Sequence, residues 1–172
     1  EEEKGIMIAL KAFEILVNKN ELFHFYIAGN GSKLKVAEDY VLNNKIKNVH
    51  FLGFIKNDEK IKLLKESDIL LFPTYYHEGL PINILEAMSA GLPIVTRPVG
   101  GIKDFFENGK MGYLINTKNP VDFAEKIETL LNSNKYLDIC KYNYEYANKN
   151  INAELITRKL EIIMKTIVYE KN

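Results

Sequence analysis

Five short apolar runs, each ending at a turn and each separated from the next by a stretch of helical periodicity, limit this chain more than any other feature does. The runs are LFHFYIAG (22–29), NVHFLG (48–53), DILLFP (68–73), PIVT (93–96) and GYLI (112–115). Runs of this length rich in aromatic and β-compatible residues read as buried strands. Between Gly5 and Asn18 the residues Ile6, Leu10, Phe13 and Val17 recur at threes and fours, so one stripe of a helix faces a core. Further helices are expected over about Ser32–Asn43, Asp58–Ser67, Pro81–Ala90, Pro120–Leu131, Lys135–Asn148 and Ala153–Val168. Strands alternating with helices need crossovers, which places a parallel sheet between two helical layers. The expected fold is therefore a doubly wound, Rossmann-like parallel α/β sheet, with residues 1–172 forming one domain.

A ligand of such a sheet sits outside the carboxyl ends of its strands, where loops lead into helix N-termini. Four loops meet that description: Gly29-Asn30-Gly31, Gly53-Phe54-Ile55, Pro73 to Pro81, and Arg97 to Gly101. Several carry the glycines that close backbone approach requires.

Totals narrow the partners. Lys plus Arg and Asp plus Glu are equal at 23 each, so the chain has no field with which to hold a polyanion, and nucleic acid is not expected. The single cysteine, Cys140, cannot form an internal disulfide and has no base or metal partner nearby in sequence; it reads as structural, in a reducing compartment. No apolar run is long enough to cross a bilayer, and EEEKGIMIALKAF lacks the basic start of a signal peptide. His24, His50 and His77 fall on two strands and a loop without ligand spacing, so no metal is expected.

The most pointed stretch is HEGLPINILEAMSAGLPIV, residues 77–95. Gly79-Leu80-Pro81 sits where a loop enters a helix, with Pro81 expected at the first helical position, where it has no N–H to waste. The amides of Ile82 and Asn83 would then face the cleft, and the helix dipole would favour a phosphate or diphosphate there. Glu86 lies about one turn inside. Glu78 lies outside the helix and Glu86 on it, so the two acids bracket the turn and do not form a proton-sharing dyad. Two carboxylate oxygens suit a vicinal diol such as a ribose. Arg97, at a strand end facing the cleft, reads as a diphosphate ligand or, more plainly, as the ion-pair partner of Asp104 or Glu107.

Residues 72–115, FPTYYHEGLPINILEAMSAGLPIVTRPVGGIKDFFENGKMGYLI, resemble the donor-nucleotide signature of the retaining family 4 glycosyltransferases of the GT-B fold. Glu78 and Glu86 fit that family's pair of acids spaced by seven residues, and the similarity continues through the Gly-Gly turn and the Asn-Gly-x-x-Gly-Tyr turn. Upstream, AGNG (28–31) and FLGF (51–54) fall in the family's order.

The resemblance implies a role for each position. Glu86 would hold the ribose hydroxyls, while Gly79, Leu80, Pro81 and Ile82 would meet the donor sugar and its phosphates. Glu78 would contact the transferred sugar and is the candidate catalytic acid. Phe54 and Ile55 would meet the base, Gly29 would border the cleft, and Lys4 of Lys4-Gly5 would neutralise the diphosphate. It further implies a nucleotide-diphospho-sugar substrate (UDP-, GDP- or ADP-linked) and no cofactor. The acceptor, a saccharide or a lipid-linked sugar, would be bound by a separate N-terminal domain, and both that domain and the first strand of this one would precede residue 1. The expected setting is surface polysaccharide, lipopolysaccharide or glycolipid synthesis in the cytoplasm, peripheral to the inner face of the membrane. A non-catalytic nucleotide-binding module and a GT-B sugar-nucleotide epimerase are the alternatives.

Overall fold

The structure is a computed structural model that describes residues 2–77, 79–151, 157–158 and 161–162. After a 3-10 turn at Glu2–Lys4, the elements run α1 (Ile6–Lys19), β1 (Phe25–Ala28), α2 (Leu34–Asn43), β2 (Val49–Gly53), α3 (Asp58–Glu66), β3 (Leu70–Phe72) and α4 (Ile82–Ser89). There follow β4 (Ile94–Thr96), α5 (Ile102–Phe105), β5 (Gly112–Leu114), α6 (Pro120–Leu131) and α7 (Tyr136–Asn150). All strand pairs are parallel, as the alternation requires. The final expected helix, Ala153–Val168, lies outside the described residues apart from two helical pairs.

The sheet differs from expectation in one respect. It is divided into a pair, β1–β2, and a triplet, β3–β4–β5. Helix α1 spans the division. Phe13 and Val17 pack with Phe25 and Val49 of the pair, whereas Ala12 and Leu16 share a cluster with Val95, Ile69 and Leu71 on the side of the triplet. Strand β4, central in its triplet, is wholly buried, while β3 at the edge is only half-buried despite being just as apolar.

Two layers of helix close the core around the triplet. Helix α6 brings Phe123, Ala124, Ile127 and Leu130 against α1, and α4 brings Ile84, Ala87 and Met88 into a cluster with Ile94, Ile102 and Met111. Each large side chain sequestered in this way contributes about 1.5–3 kcal/mol relative to exposure. Asn143 of α7, fully buried, donates from Nδ2 to the carbonyls of Leu92 (2.8 Å) and Met111 (3.0 Å). It thereby satisfies two carbonyls from loops that flank β4 and β5.

Three local expectations shift. Strand β1 is shorter than its apolar run, because Leu22 is 84% exposed and the turn before it takes up the first residues. Pro81 is the N-cap of α4 and not its first helical residue: its ψ of 110° is extended, and Ile84 N–H donates to its carbonyl at 3.1 Å. The four-residue helix α5 was not expected, since one turn between two glycine turns shows no periodicity.

Candidate functional site

The strand exits converge as the fold rule requires. Gly29 N–H donates to the Gly53 carbonyl at 2.6 Å, which joins the ends of β1 and β2. Phe54 follows with 71% of its surface exposed, and Ile55 beside it is half-buried.

At the exit of β3, the loop is tied to the segment before α1. The Glu3 carbonyl accepts from Tyr75 N–H (2.8 Å), Tyr76 N–H (3.2 Å) and the Thr74 hydroxyl (3.2 Å). Gly5 makes this contact sterically feasible. Its φ is +81°, and a Cβ there would lie 2.3 Å from the Pro73 carbonyl oxygen. Lys4 is consequently fixed at the cleft, with its ammonium 5.1 Å from the centroid of the Tyr76 ring. Across the same loop Lys118 stacks on Tyr75 at 3.5 Å.

The turn entering α4 is held from its other side. Gly101 N–H donates to the Gly79 carbonyl at 3.0 Å, and a Cβ on Gly101 would stand 2.1 Å from that oxygen. Between these two ties lies a cavity of about 220 Å³, lined by Lys4, Phe72, Leu80, Pro81, Ile82 and Asn83. The amides of Ile82 and Asn83 precede the first intrahelical bond of α4, and both residues line this cavity together with Lys4. Two independent positive features thus meet at one cavity, an arrangement suited to an anion.

Glu86 occupies a different flank. It lines a second cavity, of about 230 Å³, between α3 and α4, with Lys60, Ile61, Leu64, Lys65, Ser89 and Ala90. Its Oε1 lies 2.5 Å from Lys60 Nζ, and both side chains are about one-third exposed. The structure therefore brings Lys4, Leu80, Pro81 and Ile82 together and leaves Gly79 at their edge. Glu86 is on the neighbouring flank of the same helix, and Gly29, Phe54 and Ile55 line neither cavity. Glu78 lies outside the described residues.

Other candidates resolve as follows. Among the described residues Arg97 makes no ion pair with Asp104 or Glu107, contrary to expectation, and its Nε is buried without a partner. The reason for Glu107 is competition: its carboxylate is already taken by Lys110 at 2.7 Å and by the Tyr142 hydroxyl. Those hydrogen bonds, from Lys110 first and Tyr142 second, hold the Glu107 carboxyl below its usual range. His77 is exposed, while His24 and His50 are hydrogen-bonded to each other at 3.0 Å beside Tyr26, away from the strand exits. Cys140 is partly buried, and burial pushes its thiol up, which agrees with an inert role. No group of three or more His, Cys, Asp or Glu that could hold a metal occurs among the described residues. Nor is any helix among them long and apolar enough to cross a membrane. Sequence reasoning missed Lys60, one of several lysines in a charged helix with nothing in its spacing to mark it.

The parallel α/β fold carries a cationic helix entrance at its strand exits, and the sequence pattern of the glycosyl transferases group 1 matches residues 1–147; the chain belongs to that family. It is similar to spore coat protein SA of Bacillus subtilis, at 31% identity over 98% of this chain and 46% of that one. It is also similar to the poly(ribitol-phosphate) alpha-N-acetylglucosaminyltransferase of Staphylococcus aureus, at 33% identity over 76% of this chain and 26% of that one. Among solved structures, Anabaena HepE in complex with UDP-glucose superposes with a TM-score of 0.82 at 21% identity, over 96% of this chain and 46% of that one. That likeness establishes the α/β architecture of the GT-B glycosyltransferases. The chain spans less than half the length of these relatives.

Proposed function

We propose that the chain is the donor-nucleotide domain of a retaining family 4 hexosyltransferase, which moves a sugar from a nucleoside diphosphate to a saccharide or lipid-linked acceptor. The observation that carries this reading is the cavity lined both by Lys4 and by Ile82 and Asn83, the residues that open α4. A leaving diphosphate gathers negative charge as the glycosidic bond breaks, and preorganised donors aimed at that charge lower the barrier. Lys4 and the start of α4 are the groups here that do so. Glu86 receives the ribose, and Glu78 contacts the transferred sugar. Phe54 and Ile55 border the base. The UDP-glucose bound by HepE and the sugar transferred by the S. aureus relative favour this class of donor.

The acceptor is held by a second domain, on the N-terminal side of this one, and the enzyme acts in surface polysaccharide or glycolipid synthesis at the inner face of the membrane. A further parallel strand, running between β1 and β3 beneath α1, joins the two parts of the sheet. The division under a helix that packs on both parts supports that placement.

Thermal shift with UDP, GDP and ADP tests the reading. At least one is expected to raise the melting temperature, and Lys4→Ala and Glu86→Ala are each expected to shrink the shift. In the complete enzyme, Glu78→Gln should depress sugar transfer far more than nucleotide binding; equal losses would remove Glu78 from the transferred sugar.

A further inference from the structure

Helix α3 buries none of its side chains. Among the described residues, the pair between Lys60 and Glu86 is the one side-chain hydrogen bond or ion pair that joins α3 to another element. That pair also ends on one oxygen only. Lys60 takes Oε1 of Glu86, and no second side chain among the described residues takes Oε2.

We propose that Lys60 is a positioning residue for nucleoside recognition: by holding Oε1 it fixes the rotation of the Glu86 carboxylate, so that Oε2 alone is presented to a ribose hydroxyl. The inference rests on the reading that Glu86 grips the ribose. Its physical basis is geometric. A glutamate side chain has three rotatable bonds, and an unheld carboxylate would lose that freedom on meeting a hydroxyl, which weakens the contact. A cation on the far oxygen removes most of this loss before the ligand arrives, and it also offsets the repulsion between a carboxylate and a nearby diphosphate. Both partners are about one-third exposed, so the pair adds little to the stability of the fold and a Lys60 variant should remain folded.

Charge compensation and orientation make different predictions. Loss of compensation weakens every nucleotide alike. Loss of orientation weakens the ribonucleotide more than an analogue that lacks the hydroxyl. The experiment is therefore a ratio. Binding is measured by calorimetry for whichever of UDP, GDP or ADP gives the largest thermal shift, and for its 2′-deoxy and 3′-deoxy counterparts. The larger of the two deoxy penalties defines the ribose discrimination. In the unaltered protein it should be about tenfold, the size of one charge-assisted hydrogen bond. Glu86→Ala should bring it close to one. Lys60→Ala should reduce it to about threefold or less, Lys60→Arg should retain it, and the double variant Lys60→Ala with Glu86→Ala should match Glu86→Ala alone.

A Lys60→Ala protein that keeps the full ratio overturns the proposal and leaves the Glu86 reading intact. A Glu86→Ala protein that keeps it overturns the Glu86 reading first and the proposal with it. Failure of all three nucleotides to bind overturns both. Should Lys60→Ala melt early, Lys60→Gln provides the same comparison with a longer uncharged side chain.

Discussion

At Gly101 a single methyl group would stand 2.1 Å from the carbonyl oxygen of Gly79, and that oxygen belongs to the turn that opens α4. Backbone atoms on both sides prevent an easy escape, so one of the two turns must move. Gly101→Ala is expected to cost about 2 kcal/mol in urea denaturation and to remove most of the nucleotide-induced thermal shift. A substitution that cost stability but left the shift unchanged would show that the two turns are not mechanically linked. Much at this scale was legible beforehand. The GLPIN turn marked its own helix entrance through glycine and proline chemistry, and Lys4 was indicated by the family's lysine-glycine pair. Lys60 was illegible, because DEKIKLLKE places charge on every side of the helix and nothing in the sequence says which lysine meets an acid 26 positions away. The ion pair expected of Arg97 failed for a related reason: sequence cannot tell that Glu107 is already occupied.

Helices here are fastened to loops and to one another by a few polar contacts whose loss can be measured. Asn143 serves two buried carbonyls with one amide group. Asn143→Ala is expected to cost about 1–2 kcal/mol, since the Leu92 carbonyl would lose its donor where water does not reach, while the Met111 carbonyl keeps the Ile94 N–H. Equilibrium urea unfolding checks it. Between α1 and α2, the Tyr40 hydroxyl donates to Glu14 at 2.5 Å. Burial first and then this hydrogen bond push the Tyr40 hydroxyl from an ordinary 10.0 up to about 12. The folded protein thus keeps a proton that the unfolded chain releases earlier. The stabilisation is complete below pH 10 and is lost as pH rises through 12, so stability should fall with pH across that window. In Tyr40→Phe the fall should be shallower when denaturation midpoints are compared over the same range. Element identity was legible because apolar period distinguishes short buried strands from striped helices. Element ends were not, as β1 shows, because Leu22 and Phe23 look like strand residues until the turn at Asn20 claims them.

For the molecule as a whole, the sequence announced a parallel α/β domain but could not announce the division of its sheet. Periodicity reports which residues are buried and is silent on which strands are neighbours. If sugar transfer needs an acceptor-binding partner domain, this chain should bind a nucleotide yet show no transfer from a labelled nucleotide sugar to added saccharides, as followed by product chromatography. Transfer by the chain itself would overturn the two-domain proposal. The division has a further consequence. Strands β1 and β3 each have a single partner among the described residues, so without the proposed intervening strand each presents a row of amides and carbonyls that no strand answers. Such rims are templates: in concentrated solution, extended segments of neighbouring copies can dock on them edge to edge, and the same short apolar runs that build the core would then seed growth from one copy to the next.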